Sequence, residues 1–458
     1  MERRTFVKTA ATAAALTAAS AERVLGANDR INIGLIGCGG RGTLDSRLIR
    51  GTKEDVQQRS VEDRARLSTD RNVAVTAFSD VDERKLARAK QWAPDAKTYH
   101  DFRQMLDDKD VHAVVIATQD QWHVPMAVLA AQAGKDIYLE KPVMYTIKEG
   151  QAVIDAVRDN KVLCQVGSQH RSAAHIAEAA EIVQSGKLGQ VCFVRVWNNL
   201  NPGLQGPRPD GPVPEGLDWD AWLGPAPYVP FNQDRMNYRN FMEYTNGLIT
   251  DYGMHRIDSV HQIMGEDTPT TVSSSWNVFR KGKVGTLPDI HQATYEYPGF
   301  IMSYECCTMN SHGLGGRTQG MTYYGARGPE DRPHGMAFYG TDAALFVDRL
   351  GLELYSERKG GSASWEPLMD KIAKNEPEPT AIHCQNFVEN LRERNEPFAN
   401  IEKGVKSTIA PVLGNVAAQA NEKLQWDAEK VAFTNSKSAN KFLFREYRKP
   451  YNYVKIDA

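Results

Sequence analysis

Along the first third of the chain, short unbroken apolar runs alternate with longer amphipathic stretches. Residues 31–36, 73–79, 111–117 and 137–139 are nearly all apolar, the pattern of strands covered on both faces. A helical pattern over residues 125–134 separates the last two. Strand and helix in alternation predict a parallel, doubly wound sheet. Beyond Ser168 the texture changes. A helical pattern over 172–185 leads to a strand over 191–196, and short β-like runs follow at 271–275, 292–297, 301–306, 336–339, 344–347 and 352–355. These predict a second, α+β domain on a large, mainly antiparallel sheet with one open face. Residues 383–394 and 405–421 read as helices, and the basic, aromatic tail over 442–453 is expected to pack back onto the body.

Two stretches break the periodicity. Residues 202–230 are rich in Pro and Gly and too long for a simple turn, while Trp219, Trp222 and Tyr228 argue against disorder; such loops are commonly functional. The charged residues 52–71 read as an inserted loop or extended helix. At the start of the chain, Arg3-Arg4-Thr5-Phe6-Val7-Lys8 precedes a weakly apolar, Ala/Thr-rich run over 9–19. This pattern reads as a twin-arginine export signal, too short and too weakly apolar to be a stable membrane span. Small residues place cleavage after Ala21 or Ala27. The expected division is a signal over 1–27, a nucleotide-binding domain over 28–168 and a substrate domain over 169–458. Export by this route places the protein in the periplasm or otherwise outside the cytoplasm, carrying a tightly held cofactor loaded before export.

Composition narrows the classes further. With 41% hydrophobic and 24% charged residues and a net charge of -2 over 458 residues, the chain reads as an ordinary globular protein of two domains, with no nucleic-acid partner. Its six cysteines are scattered without a C-x-x-C pair, so neither a zinc site nor a cystine framework is expected, and Cys306-Cys307 reads as packing within a strand. Asp258 and His261 stand near His255, but the spacing fits no common zinc pattern and no metal is expected.

The candidate chemistry sits at strand ends. Gly37-Cys38-Gly39-Gly40-Arg41-Gly42 follows the first strand without a gap. Gly37 permits the tight turn, Gly39 lets backbone approach a pyrophosphate, Gly42 lets the following helix pack closely, and Cys38, Gly40 and Arg41 complete the turn. Asp80 ends the second strand, where a carboxylate can accept ribose hydroxyls; this favours NAD, although Arg84 nearby leaves NADP open. Thr118, Trp122 and His123 follow the next strand, and Glu140-Lys141-Pro142 ends the one after it. Ligands of open α/β sheets bind just beyond such strand ends, so Lys141 is expected to face one. Farther on, Gln169 and Arg171 follow another strand end and could line a pocket, while His170, His291, His312 and His334 read as ordinary loop residues. Asp251 and His255 are four residues apart and share a face if the segment is helical, a helix that Gly253 weakens without excluding. A histidine, with a pKa near about 6.5, suits removal of a hydroxyl proton better than a lysine near about 10.4. His255 is therefore the expected general base, with Lys141 stabilising the developing charge on the same oxygen and Asp251 orienting the histidine or binding a neighbouring hydroxyl.

Together with Asp80-Val81-Asp82, Ile116-Ala117-Thr118, Gly134-Lys135-Asp136, residues 166–171, Leu217 to Pro225 and Asp251 to Asp258, these motifs closely resemble the Gfo/Idh/MocA oxidoreductase family over nearly the whole chain after the signal. The resemblance implies an N-terminal Rossmann domain and a C-terminal open sheet that walls the substrate site and mediates assembly into a dimer or tetramer. It implies that Glu140 lies near the nicotinamide ribose, Lys141 beside the nicotinamide and substrate, and that the Lys141-Pro142 bond is cis. Gln169 joins the cofactor contacts, and Arg171 joins Lys141, Asp251 and His255 as a substrate contact. The expected activity is hydride transfer between a secondary hydroxyl of a sugar or polyol and a tightly bound NAD(P). Redox-neutral glycoside cleavage and a non-catalytic nucleotide sensor are the alternatives.

Overall fold

A computed structural model describes residues 29–55, 71–201, 203, 206–280, 282–310, 333–349, 351–357, 368, 372–373 and 379–456. The proposed export signal, most of the charged insertion and His312 lie outside the described residues.

Strands β1 (Ile31–Ile36), β2 (Val73–Ser79), β3 (Lys97–Tyr99), β4 (Ala113–Ile116), β5 (Asp136–Leu139) and β6 (Cys164–Val166) form one sheet in the order β3-β2-β1-β4-β5-β6. Every pairing in it is parallel. Successive residues of one strand serve different cores: Ala113 and Val115 of β4 join one apolar cluster, Val114 and Ile116 the other. Both faces are thus covered, which is why the strands read as unbroken apolar runs. Helices α1 (Gly40–Arg50), α2 (Glu83–Ala89), α3 (Phe102–Leu106), α4 (Asp120–Gln132) and α5 (Glu149–Asp159) connect these strands and lead into β6. Helix α4 starts at Asp120, five residues before the start that periodicity predicts at Pro125, which sits inside the helix. Trp122 and His123 therefore stand on a helix rather than in a loop.

The second sheet contains β7 (Val191–Asn199), β8 (Thr271–Asn277), β9 (Ile290–Tyr297), β10 (Phe300–Cys307), β11 (His334–Gly340), β12 (Ala343–Val347), β13 (Gly351–Ser356), β14 (Ile372–Ala373), β15 (Leu424–Asp427) and β16 (Ala432–Phe433). Their order is β14-β13-β12-β11-β7-β10-β9-β8-β15-β16. β7 and β10 run parallel and the other pairs antiparallel. Burial alternates along β9 and β10, so one face is covered and the other open. Helices α6 (Ala174–Gln184), α8 (Leu248–Met264) and α10 (Ile401–Ala420) share a core with the covered face. Gly253 lets α8 pack closely on the sheet: a Cβ there would lie 3.1 Å from the Tyr304 ring of β10. The short α7 (Trp219–Leu223) lies between β7 and α8, and α9 (Thr380–Glu393) returns to the first domain. Ala381, Cys384, Phe387, Val388 and Leu391 of α9 complete the core that holds β1 and α1. Cys306 and Cys307 sit within β10, and all six cysteines are free thiols. Among the described residues, no helix is long and apolar enough to cross a membrane.

Candidate active site

Two cavities open at the carboxyl ends of the parallel strands. The first, of about 580 Å³, is lined by Gly37, Gly39, Gly40, Arg41, Asp80, Thr118, Trp122, His123 and Glu140. Gly37 has φ +92°, and a Cβ on it would lie 2.6 Å from the Ala117 carbonyl. A Cβ on Gly42 would lie 2.5 Å from the Gly37 carbonyl, whereas one on Gly39 or Gly40 would meet nothing within 4 Å. That open space is what a diphosphate needs. Gly39 caps α1 without a side-chain hydrogen bond, leaving the helix's first N–H groups to an anion. Asp80 Oδ2 accepts the Cys38 N–H at 2.8 Å and Oδ1 accepts the Asp82 N–H at 3.0 Å, which fixes the carboxylate at the cavity wall. The Arg84 guanidinium is bound to Asp82 through two contacts of 2.8 Å, so it is engaged away from a ribose phosphate. The residues present therefore fit NAD.

Not every residue of the glycine turn faces that space. Cys38 is buried against the Ser79 carbonyl, and Gly42 packs against the strand, as its role in the turn requires. Arg41 lines the cavity, and its Nε lies 3.0 Å from Glu140 Oε1 and 3.1 Å from Asp45 Oδ2. His123 Nδ1 lies 2.6 Å from the Pro142 carbonyl and ties α4 to the strand exit, while Trp122 donates its indole N–H to the Ala221 carbonyl at 3.1 Å.

The second cavity, of about 600 Å³, shares Arg41, Glu140, Lys141 and Arg239 with the first and adds Gln169, His170, Asp251, Tyr252, His255, His334 and Arg349. Gln169 thus belongs to this side. At the junction the Lys141-Pro142 bond is cis. Lys141 Nζ donates to Asp251 Oδ1 at 2.5 Å and to the Asp251 carbonyl at 2.8 Å. Arg239 Nε lies 3.2 Å from Asp251 Oδ2. Burial pushes the Asp251 carboxyl up, but Lys141 and Arg239 outweigh it and hold the pKa at about 2. The carboxylate is thereby committed to the lysine, not to the histidine. Asp251 orients Lys141 because two cations claim both its oxygens.

His255 lies one turn farther along α8, buried, with its ring stacked on that of His170 at 4.8 Å between centroids. Its Nδ1 is buried, with no hydrogen-bond partner among the described residues. Burial, then Lys141, His170 and two arginines, push its pKa well below the usual histidine value. These causes keep the ring neutral at physiological pH. Arg171 does not line either cavity: its guanidinium binds Asp258 at 2.7 and 2.8 Å, and Ser407 completes that buried cluster at 2.6 Å. His170 and His334, which spacing left as ordinary loop residues, line the second cavity, and His291 instead joins Ser274 in the sheet. Trp219 and Trp222 stack on each other at 4.6 Å and are buried, and Trp222 faces the first cavity. No periodicity or motif in the sequence marks the short turn Tyr238–Asn240 that carries Tyr238 and Arg239.

A family model described as the oxidoreductase family, NAD-binding Rossmann fold, matches residues 31–168, and one for the same family's C-terminal alpha/beta domain matches 181–302 and 346–453. The chain belongs to the Gfo/Idh/MocA oxidoreductase family. Within it, the chain is 37% identical over 95 residues to a levoglucosan dehydrogenase of Pseudarthrobacter phenanthrenivorans, 21% of this chain and 24% of that one. It is 35% identical over 124 residues to inositol 2-dehydrogenase of Salmonella typhimurium, 27% of this chain and 37% of the relative. The match to these two thus spans well under half of their length. A scyllo-inositol 2-dehydrogenase (NAD(+)) of Bacillus subtilis is 24% identical over 68% of this chain and 79% of its own. Among solved structures, a levoglucosan dehydrogenase in complex with NADH and levoglucosan superposes with a TM-score of 0.62 at 18% identity, covering 87% of this chain and 99% of that one. An aldose-aldose oxidoreductase of Caulobacter crescentus gives 0.60 at 18% identity, over 87% and 100%. These structures share the Gfo/Idh/MocA fold with this chain.

Proposed function

We propose that this member of the family is an NAD-dependent dehydrogenase acting on a secondary hydroxyl of a sugar or polyol. The observation that carries the reading is the meeting of the two cavities at Lys141, with Asp251 and His255 on one face of α8 beside it. NAD bound in the first cavity supplies a hydride acceptor. Of the three ammonium donors of Lys141, two are engaged by Asp251, and the third is left for the substrate oxygen. His255, neutral and lining the second cavity, takes the hydroxyl proton. Glu140, held by Arg41, supplies a fixed carboxylate between the two cavities. The named substrates of the similar proteins, levoglucosan and inositols, support the sugar or polyol class.

The test is a panel of free sugars, anhydrosugars and inositols offered with NAD, read as appearance of reduced nicotinamide. At least one is expected to turn over. Lys141→Met and His255→Asn should each lower kcat by about 10²–10⁴-fold while NADH binding persists. A protein that binds NADH but oxidises none of the panel, or variants that turn over like the parent, would count against the reading. We further infer that copies associate through the open face of the ten-stranded sheet.

A further inference from the structure

Residues 448–454 are tied to the body of the molecule at several points. Arg448 donates to the carbonyls of Gly224, Ala226 and Asp220 at 3.1, 2.9 and 2.8 Å and meets the Asp220 carboxylate at 2.6 Å. The Tyr451 hydroxyl donates to the same carboxylate at 2.7 Å. Its ring meets Trp122 edge-on at 5.6 Å, Tyr453 lies 6.2 Å from Trp122, and the Arg103 guanidinium sits 4.7 Å over the Tyr453 ring. Val454 behind them is buried in the core of the first domain. The tail therefore crosses from the loop around α7 to helices α3 and α4. In doing so it presents Pro450, Tyr451 and Tyr453 to the first cavity, the same space that the glycine turn and Asp80 line.

We propose that Tyr451 and Tyr453 are cofactor-site residues, forming the wall against which the adenosine half of NAD lies and holding the cofactor in place between turnovers. The location decides which half. Arg103, in contact with Tyr453, lines the cavity together with His100, Asp101 and Asp80, the end where a ribose-binding carboxylate stands, whereas Lys141 and Glu140 mark the opposite, nicotinamide end. Aromatic rings offer a purine a face to pack on without demanding a hydrogen-bond pattern. Neither tyrosine belongs to a nucleotide-binding motif, and both lie more than 300 residues beyond the glycine turn. The wall arises because Arg448, the Tyr451–Asp220 hydrogen bond and the buried Val454 hold the tail across the cavity.

This proposal rests on the NAD assignment of the cavity, and its test separates the two. NADH binding is followed by fluorescence titration and by release into an excess of a competing dehydrogenase, with no sugar present. Tyr451→Ala combined with Tyr453→Ala should weaken NADH binding about tenfold or more and speed its release, whereas Tyr451→Phe with Tyr453→Phe should bind within about threefold of the parent. In the unaltered protein, hydrogen exchange of residues 446–456 should slow when NADH is added, a readout that does not depend on any variant folding. Parent-like binding by the double alanine variant, or tail exchange indifferent to NADH, overturns the role of the tail while leaving the cofactor reading intact. Failure of the unaltered protein to bind NADH overturns both.

Discussion

At the scale of single residues, the site is governed by which charges meet underground. Lys141 and Asp251 are 110 positions apart in sequence, so the i,i+4 spacing of Asp251 and His255 could be read but the pairing of Asp251 with Lys141 could not. Arg239 was hidden for the same reason. Removing one partner of a buried pair of this kind costs about 3–5 kcal/mol, because the other charge is stranded. This makes the aspartate a device for aiming the lysine, and it leaves the histidine to be tuned by burial, by Lys141 and two arginines, and by the stacked His170. The consequence is visible in pH dependence. An ordinary histidine base would give kcat/KM an acid limb near pH about 6.5. With the His255 pKa pushed well below that value and Asp251 ionised down to about 2, activity should stay level as pH falls through 6.5 and decline only at more acid pH. A profile measured in short assays, before acid unfolding intervenes, checks this; an acid limb centred at or above 6.5 would contradict it.

At the scale of elements, the alternation of burial that made β9 and β10 legible as strands also exposes the other face of their sheet. Register, which sequence did not disclose, brings the exposed side chains together. Ile301 of β10 stands opposite Phe193 of β7, which stacks on Tyr339 of β11 at 5.7 Å; Phe346 and Tyr355 continue the row at 6.1 Å each. Ile301 and Phe193 are 45% and 36% exposed, and the Arg195–Glu305 pair lies on the same two strands. A continuous apolar row of this kind is uncommon on a monomer and typical of an interface. The unaltered protein is expected to sediment as a dimer or tetramer, and Phe193→Asp with Ile301→Asp to sediment as a monomer that still binds NADH. A variant that retains the parent's mass would refute the assignment of that face.

At the scale of the whole molecule, fold class and the cofactor turn were legible because local period and glycine spacing carry them. The return of α9 to the first core was not, since the apolar stripe of a helix does not say which sheet it will meet. What the assembled molecule adds is a set of histidines buried where no pattern placed them. His261 is held at about 3, His291 and His383 at about 4, each chiefly by burial, and His170 and His255 also lie well below the usual value. The unfolded chain binds these protons near pH about 6.5 and the folded one does not, so the stability they allow is intact above 6.5 and drains as pH falls towards 4. Each makes stability fall with acidification within that window, by on the order of 1 kcal/mol per pH unit. Asp45, Asp120 and Glu149 act in the opposite sense, because burial raises their pKa values and the folded state takes up protons. A comparison between two proteins that share those carboxyls cancels their part. His291→Gln should therefore lose stability less steeply than the parent between pH 6 and 5, by on the order of 1 kcal/mol, in urea unfolding measured at both pH values. Parallel slopes for the two proteins would mean that His291 protonates in the folded state and that its burial does not restrain it.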